Sequence, residues 1–299
     1  MKYIMKFLSL FFLTLANLSA VNSYLTVNSV KRYTRKFDDK LSVKVYEPKN
    51  VVKKNTHSVL FFTGGNALIT SEVYTNFLTK LANEGLAVFI SPSDLEQSEE
   101  ISDLIESEYS SVTNVGHSSG AVVALRNANK NRNTKKTVLL DPVDSEELFK
   151  SFRFPNLPFL DKEQTTLKFK HIKDLLVLNA KKSYEWKLFP LTIPFVPAFK
   201  MDTEKITTND VNVNFIEAEN FGHSDILNPF WGDIMHNTIS KGSEDRDETV
   251  LDEYHEWLAG TINKFILDLD IEDNNNEKLL DCKDNESPSD YESENIELE

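Results

Sequence analysis

The chain has 299 residues, 47 of them acidic and 33 basic, which gives a formal net charge of −14. That length suffices for one α/β domain of ordinary size or for two small ones. The acidic balance and the lack of a basic stripe argue against nucleic-acid binding, which needs lysine and arginine to neutralise phosphates. The single cysteine, Cys282, excludes an intrachain disulfide and a cysteine metal site.

The N-terminus has the pattern of a secretory signal peptide. Lys2 and Lys6 precede an apolar run over residues 7–15, and small or compact residues follow up to Ser23. We therefore predict a signal peptide over residues 1–23 and a secreted protein. A plastid or another organelle reached through the ER is the alternative destination. A membrane anchor is disfavoured because the run is shorter than the roughly 20 residues that a spanning helix needs.

Strand and helix signals alternate along the body of the chain. Short apolar runs predict strands at residues 58–63, 86–92, 111–115, 137–141, 174–180 and 211–218. Apolar residues at helical spacing predict helices at residues 73–85, 101–109, 121–130 and 251–269. This alternation is typical of an α/β fold in which helices cover both faces of a mainly parallel sheet.

The alternating elements predict one folded domain over residues 24–270, in which residues 241–250 form a charged loop. From residue 271 to residue 299 the chain is rich in Asn, Asp, Glu and Ser and has eleven acidic residues. Such a segment has too little apolar surface to offset the entropy lost on folding. We predict that residues 271–299 are a disordered acidic tail.

Residues 114–121, NVGHSSGA, contain the pattern Gly-x-Ser-x-Gly. The pattern occurs by chance in many proteins, but here a β-rich run precedes it and a helical run follows, as around a nucleophilic serine. The backbone of such a serine is strained, and side chains at Gly116 or Gly120 would collide with the flanking strand and helix. We predict that Ser118 is the nucleophile and that the N–H of Ser119 stabilises the oxyanion.

A serine hydroxyl needs a base near neutral pH. Of the six histidines, His223 follows the last predicted strand, directly after Gly222. His236 is expected in a loop, and the ring of His117 is expected to point away from the neighbouring Ser118. We predict that His223 is the base.

The base needs an acid that fixes its tautomer and stabilises its charged form. Asp141 ends the predicted strand 137–141, whereas the strand 174–180 has no carboxylate at its end. Asp141 is therefore the predicted acid, and Asp144 is the alternative. The alternative is that Asp141 has no catalytic role and simply starts a turn before Pro142.

Residues 63–68, TGGNAL, follow the first apolar strand. Two glycines allow the backbone to turn inward and present an amide to the oxyanion. The N–H of Asn66 is the predicted second donor to the oxyanion, and the N–H of Gly65 is the second choice. A plain glycine turn is the alternative.

Taken in order, these motifs resemble those of the α/β-hydrolase superfamily, and within it the arrangement is most similar to chlorophyllases and related ester hydrolases. The resemblance covers roughly residues 40–265 and rests on the Gly-His-Ser turn at Ser118, the sequence Asp141-Pro142-Val143 and the pair Gly222-His223. It implies an α/β-hydrolase fold in which Asp141 and His223 complete a triad with Ser118. The sequence departs from chlorophyllases at residues 119–121, Ser-Gly-Ala, and at Gly64-Gly65.

The residues and the resemblance together predict hydrolysis of a carboxylic ester, without a metal or an organic cofactor. Apolar segments at residues 151–160 and 184–199 suggest a small hydrophobic substrate, lipid-like or chlorophyll-like. A lipase or general carboxylesterase, a peptidase and a non-catalytic binding protein of the same fold are the alternatives. The sequence leaves the oligomeric state open.

Overall fold

The computed structural model describes residues 30–37, 41–65, 69–92, 95–143, 169, 171–185, 211–238, 242–243 and 246–270. Within these residues one sheet contains eight strands: β1 (Val30–Lys36), β2 (Ser42–Pro48), β3 (His57–Phe62), β4 (Ala87–Ile90), β5 (Ser111–His117), β6 (Lys136–Leu140), β7 (Asp174–Ala180) and β8 (Asn212–Ala218). The α-helices are α1 (Thr75–Asn83), α2 (Leu95–Glu108), α3 (Gly120–Lys130), α4 (Pro229–Thr238) and α5 (Glu248–Ile266). A 3₁₀ turn, Ser71–Tyr74, leads into α1.

The strand order is β1-β2-β4-β3-β5-β6-β7-β8. All pairs from β4 through β3 to β8 are parallel, whereas β2 pairs antiparallel with both β1 and β4. The predicted α/β fold with a mainly parallel sheet is therefore confirmed. Strands β1 and β2 were not predicted. β1 lies at the sheet edge and has exposed charged residues where an inner strand has an apolar run.

Helices cover both faces of the sheet, as predicted. Alternate residues of β3 point to opposite faces, so that Val59 and Phe61 join one core while Leu60 and Phe62 join another. The first core contains residues of α1 and α5, and the second contains residues of α2 and α3. Within the described part of the chain, no helix is both long enough and apolar enough to cross a bilayer.

Three local predictions were wrong. Helix α2 begins at Leu95 rather than at residue 101, because the buried side of its first turns carries Ser98 and Ser102, which conceal the apolar periodicity. His236 lies on α4 and not in a loop. Helix α5 begins inside the predicted charged loop, where the Asp247 side chain accepts the N–H of Thr249 at 2.7 Å and caps the helix.

The predicted signal peptide, residues 1–23, and the predicted tail, residues 271–299, lie outside the described residues and stay predictions.

Candidate active site

Ser118 lies on a sharp turn between β5 and α3. Its φ of 56° is in the left-handed region that non-glycine residues rarely adopt. Hydrogen bonds hold the turn, since Ser118 N–H donates to the carbonyl of Leu140 at 3.0 Å and Val143 N–H donates to the carbonyl of Ser118 at 3.2 Å. The strained backbone is stabilised by β6 and the residues that follow it.

The two glycines of the motif are required because the strand and the helix approach each other closely. A Cβ at Gly116 would lie 2.4 Å from the carbonyl oxygen of Gly120. A Cβ at Gly120 would lie 2.4 Å from the carbonyl oxygen of Phe62, at the end of β3. Neither contact can be relieved by rotating a side chain, because the opposing atoms belong to the backbone.

His223 lies in the loop after β8, and its side chain contacts both of the residues predicted to act with it. The Ser118 hydroxyl lies 2.9 Å from Nε2 of His223 and can donate its proton there. On the other side of the ring, Nδ1 of His223 hydrogen-bonds Oδ2 of Asp141. All three side chains are buried. The structure thus brings together the three residues that the sequence predicts as a triad.

Asp141 follows β6 directly and has a φ of 43°, another left-handed residue at this edge of the sheet. Its Oδ1 accepts the N–H of Ala180 at 3.1 Å and lies 2.9 Å from the Ser183 hydroxyl. These contacts leave Oδ2 directed at His223. A carboxylate held in this way fixes the proton of His223 on Nδ1 and leaves Nε2 as the acceptor.

The residues after β3, Thr63–Gly65, are called the glycine loop below, and they lie beside Ser118. A Cβ at Gly64 would come within 3.1 Å of the Cβ of Ser118. Gly65 has a φ of +63°, in the left-handed region that favours glycine, and a Cβ there would lie 2.9 Å from Cγ1 of Ile69. Ser119, the other predicted source of an oxyanion donor, is the residue before α3, so its N–H belongs to the positive end of that helix.

Comparison with family models found no match, and comparison with curated proteins found none either. Solved structures do match the chain. A thermostable esterase from Pseudomonas putida has a TM-score of 0.52 at 17% identity, over 86% of this chain and 89% of its own. One of two fungal esterases from Rhizomucor miehei has a TM-score of 0.52 at 12% identity, over 80% and 83%. An esterase from Pyrobaculum calidifontis has a TM-score of 0.51 at 13% identity, over 89% and 93%.

This chain has the α/β-hydrolase fold. In that fold a nucleophilic serine lies on a sharp turn between a strand and a helix, and Ser118 lies on such a turn after β5. The carboxyl ends of the parallel strands meet at one edge, which is where such sheets bind ligands.

A buried ion pair positions residues 219–228, the loop that carries His223 and is called the histidine loop below, and the sequence analysis missed it. The Asp225 carboxylate accepts the N–H of Gly222 at 2.8 Å and that of Ser243 at 2.6 Å, and it pairs with Arg246. Burial raises the pKa of Asp225, while Arg246 and the two N–H groups oppose that shift. The sequence offered one signal for this ion pair, an aspartate two residues after His223. No sequence pattern identifies its partner Arg246, which lies in the predicted charged loop.

His117 was expected to point away from Ser118, and the structure places its ring against the ring of His223, with 4.6 Å between centroids. Four other predicted features lie wholly or mostly outside the described residues. Asn66, the predicted second oxyanion donor, and Asp144, the alternative acid, lie outside the described residues. So do residues 151–160 and all but the first two residues of the apolar segment 184–199.

Proposed function

We propose that this protein is a carboxylic-ester hydrolase that works through an acyl-enzyme. The observation that carries the proposal is the continuous chain from Ser118 through His223 to Asp141 on a strained turn of an α/β-hydrolase fold. The structural neighbours include esterases, and this supports the proposal.

In the proposed reaction, Ser118 Oγ attacks the ester carbonyl while Nε2 of His223 takes the hydroxyl proton. The tetrahedral oxyanion lies near the start of α3, where the N–H of Ser119 donates to it. A second donor comes from the amides that follow Gly64, with Asn66 as the predicted residue. His223 then protonates the leaving alcohol and afterwards activates the water that releases the acid. Asp141 orients His223 throughout.

The test is labelling of residues 24–299 by a fluorophosphonate, a reagent that phosphonylates an activated serine. We expect the wild type to be labelled, Ser118→Ala to remain unlabelled, and Ser110→Ala to be labelled like the wild type. Ser110 is an exposed serine just before β5, at the end remote from the turn. A folded wild type that does not react would overturn the proposal and favour a non-catalytic binding protein.

We further propose that the substrate is a small hydrophobic ester, lipid-like or chlorophyll-like. Support comes from the apolar composition of residues 151–160 and 184–199 and from the resemblance at Asp141-Pro142-Val143. Esters of increasing acyl length and the phytyl ester of chlorophyll would be compared by kcat/KM. Rising kcat/KM with chain length supports the proposal, and a preference for the phytyl ester indicates a chlorophyllase. A preference for short acyl chains indicates a general carboxylesterase, and faster cleavage of a matched amide indicates a peptidase.

We also propose that residues 1–23 direct the chain into the secretory pathway. The basis is the charged start, the short apolar run and the small residues before residue 24. Expression of the full chain in a secreting host, followed by N-terminal sequencing of the medium fraction, tests this. A mature chain that begins near residue 24 supports the proposal, and an uncleaved intracellular chain contradicts it.

A further inference from the structure

The hydroxyl of Tyr74 joins the glycine loop to His117, the residue before the nucleophile. Tyr74 is fully buried at the end of the 3₁₀ turn. Its Oη accepts the N–H of Gly64 at 3.1 Å and lies 2.9 Å from Nδ1 of His117. Within the described residues, these are the polar groups in contact with this hydroxyl.

The inventory of donors and acceptors determines the direction of these hydrogen bonds. The backbone N–H of Gly64 can only donate, so it occupies a lone pair of the Tyr74 hydroxyl oxygen. The hydroxyl proton then needs an acceptor, because a buried donor without one is costly. Nδ1 of His117 is the acceptor within reach, so Tyr74 donates to it. The proton of a neutral His117 therefore lies on Nε2.

The ring of His117 transmits this arrangement to the base. It packs on the ring of His223 at an angle of 34°. Burial lowers the pKa of His117 well below its usual range, and the nearby His223 lowers it further, so the ring is neutral at pH 7. The main chain of His223 lies close enough to oppose that shift. Nε2 of His117 is buried, and among the described residues its proton has no acceptor in good hydrogen-bond geometry. The main chain of His223 is a polar group that lies near this ring.

The turn that carries Tyr74 is also tied to the histidine loop. The Asn228 N–H donates to the carbonyl of Val73 at 2.7 Å, and the Asn76 N–H donates to Oδ1 of Asn228 at 2.9 Å. Tyr74 lies between these two anchors. Its hydroxyl therefore has a fixed position relative to the loop of His223.

We propose that Tyr74 and His117 are positioning residues that hold the glycine loop and the imidazole of His223 at a fixed separation. Gly64 N–H is engaged by Tyr74 in this arrangement, so the oxyanion donor comes from a later amide, such as that of Gly65 or Asn66. The kinetic consequence rests on the proposed esterase function, whereas the direction of the hydrogen bonds can be tested without it.

The kinetic test compares Tyr74→Phe with Tyr46→Phe, using a soluble ester. Tyr46 is a buried tyrosine of the same core, and its hydroxyl bonds Thr75 instead of the site. We expect Tyr74→Phe to lower kcat by between about tenfold and a hundredfold with little change in KM, because small displacements of reacting groups have effects of that order. Tyr46→Phe should retain the kcat of the wild type. Equal kcat values for the two variants would overturn the positioning role while leaving the proposed function intact.

A second pair of variants keeps the test informative if Tyr74→Phe folds poorly. His117→Asn places an amide oxygen where Nδ1 accepts from Tyr74, whereas His117→Leu has a similar shape and no acceptor. We expect His117→Leu to lower kcat and His117→Asn to retain most of the kcat of the wild type. The same kcat for both would show that only the volume of the side chain matters, and would contradict the proposal.

The hydrogen-bond direction is measured by long-range ¹H–¹⁵N NMR of histidine-labelled protein at pH 7. The chain has six histidines, and the signal that disappears in His117→Asn identifies His117. We expect an unprotonated Nδ1 and a protonated Nε2, with both resonances shifted in Tyr74→Phe. A proton on Nδ1, or on both nitrogens, would overturn the inference. This measurement decides the direction of the hydrogen bond between Tyr74 and His117 even if the fluorophosphonate fails to label the wild type.

Discussion

Oγ of Ser118 lies 2.9 Å from Nε2 of His223, although 105 residues separate them in the sequence. Ser118 follows β5, whereas His223 follows β8, which lies three positions further along the sheet. The histidine loop therefore passes the end of β7 to reach Asp141 after β6 and Ser118 after β5. A main-chain hydrogen bond from Lys182 N–H to the carbonyl of Phe221, 2.9 Å long, ties the loop to the residues after β7.

Replacing the acid should reduce turnover without unfolding the protein. Asp141→Asn keeps the shape of the side chain, but its amide no longer fixes the proton of His223 on Nδ1. We expect kcat for ester hydrolysis to fall by about 10⁴-fold, as for triads in which this carboxylate becomes an amide. Asp174→Asn, at the opposite end of β7, is the control and should retain activity. A loss in Asp141→Asn no larger than in this control would contradict the role of Asp141.

A methyl group at Gly116 should destabilise the nucleophile turn. The added Cβ would lie 2.4 Å from the carbonyl oxygen of Gly120 and 2.7 Å from the Cα of Ala121, so the backbone must move. Overpacking of this kind costs about 1–3 kcal/mol, and we expect at least that loss in urea unfolding. Gly260→Ala is the matched control, because nothing outside the local backbone of its own helix lies within 4 Å of its added Cβ among the described residues. Alanine there should stabilise α5 by about 1 kcal/mol. Equal effects would disprove the steric explanation.

The ion pair behind the histidine loop should contribute to both stability and activity. Asp225→Asn leaves Arg246 without its buried partner, and removing one member of a buried pair costs about 3–5 kcal/mol. The exposed Asp233 accepts from Nε of the same Arg246 at 2.8 Å, so Asp233→Asn is the control, with an expected cost of about 0–1 kcal/mol. Urea unfolding measures both variants. Asp225→Asn should also lower kcat, because its carboxylate holds the N–H of Gly222. Equal free energies of unfolding for the two variants would contradict a stabilising role of the buried pair between Asp225 and Arg246.

His255 should make the protein sensitive to mild acid. Burial lowers its pKa to about 4, while Nε2 donates to the carbonyl of Asp225 at 2.9 Å. Between pH 6.5 and pH 4 the unfolded chain binds a proton that the folded protein excludes, so stability is complete above pH 6.5 and falls as the pH drops. For one such group the loss at pH 5 is about 2 kcal/mol.

The variant that tests this is His255→Gln, which keeps a donor near Nε2 and does not titrate. We expect its free energy of unfolding to change less between pH 8 and pH 5 than that of the wild type, by about 2 kcal/mol. Urea unfolding at the two pH values gives the difference. Equal pH dependence in the two proteins would show that His255 is not the titrating group.

The central strands of the fold were predictable, and the edge was not. The strand 174–180 has the predicted bounds, because its near-continuous apolar run reflects burial on both faces. β1 escaped prediction because the exposed residues of an edge strand can be polar, and β2 because exposed residues, such as Lys44, alternate with its buried ones. Helix α2 was predicted too short because the serines on its buried side bond to other polar groups, as Ser98 bonds Ser91 at 2.8 Å. The spacing of apolar residues in a sequence reveals buried apolar side chains. It does not reveal buried polar side chains that have hydrogen-bond partners.

The sequence by itself determined the α/β class and predicted Ser118, His223 and Asp141 as a candidate triad, because motifs at strand ends carry their own local context. Only the tertiary structure decided that Asp141 contacts His223, that Tyr74 holds both Gly64 and His117, and that Arg246 pairs with Asp225. These contacts join segments from different parts of the chain. No local pattern encodes them, since each depends on the order in which the sheet places its strands and on which polar groups must find partners once buried.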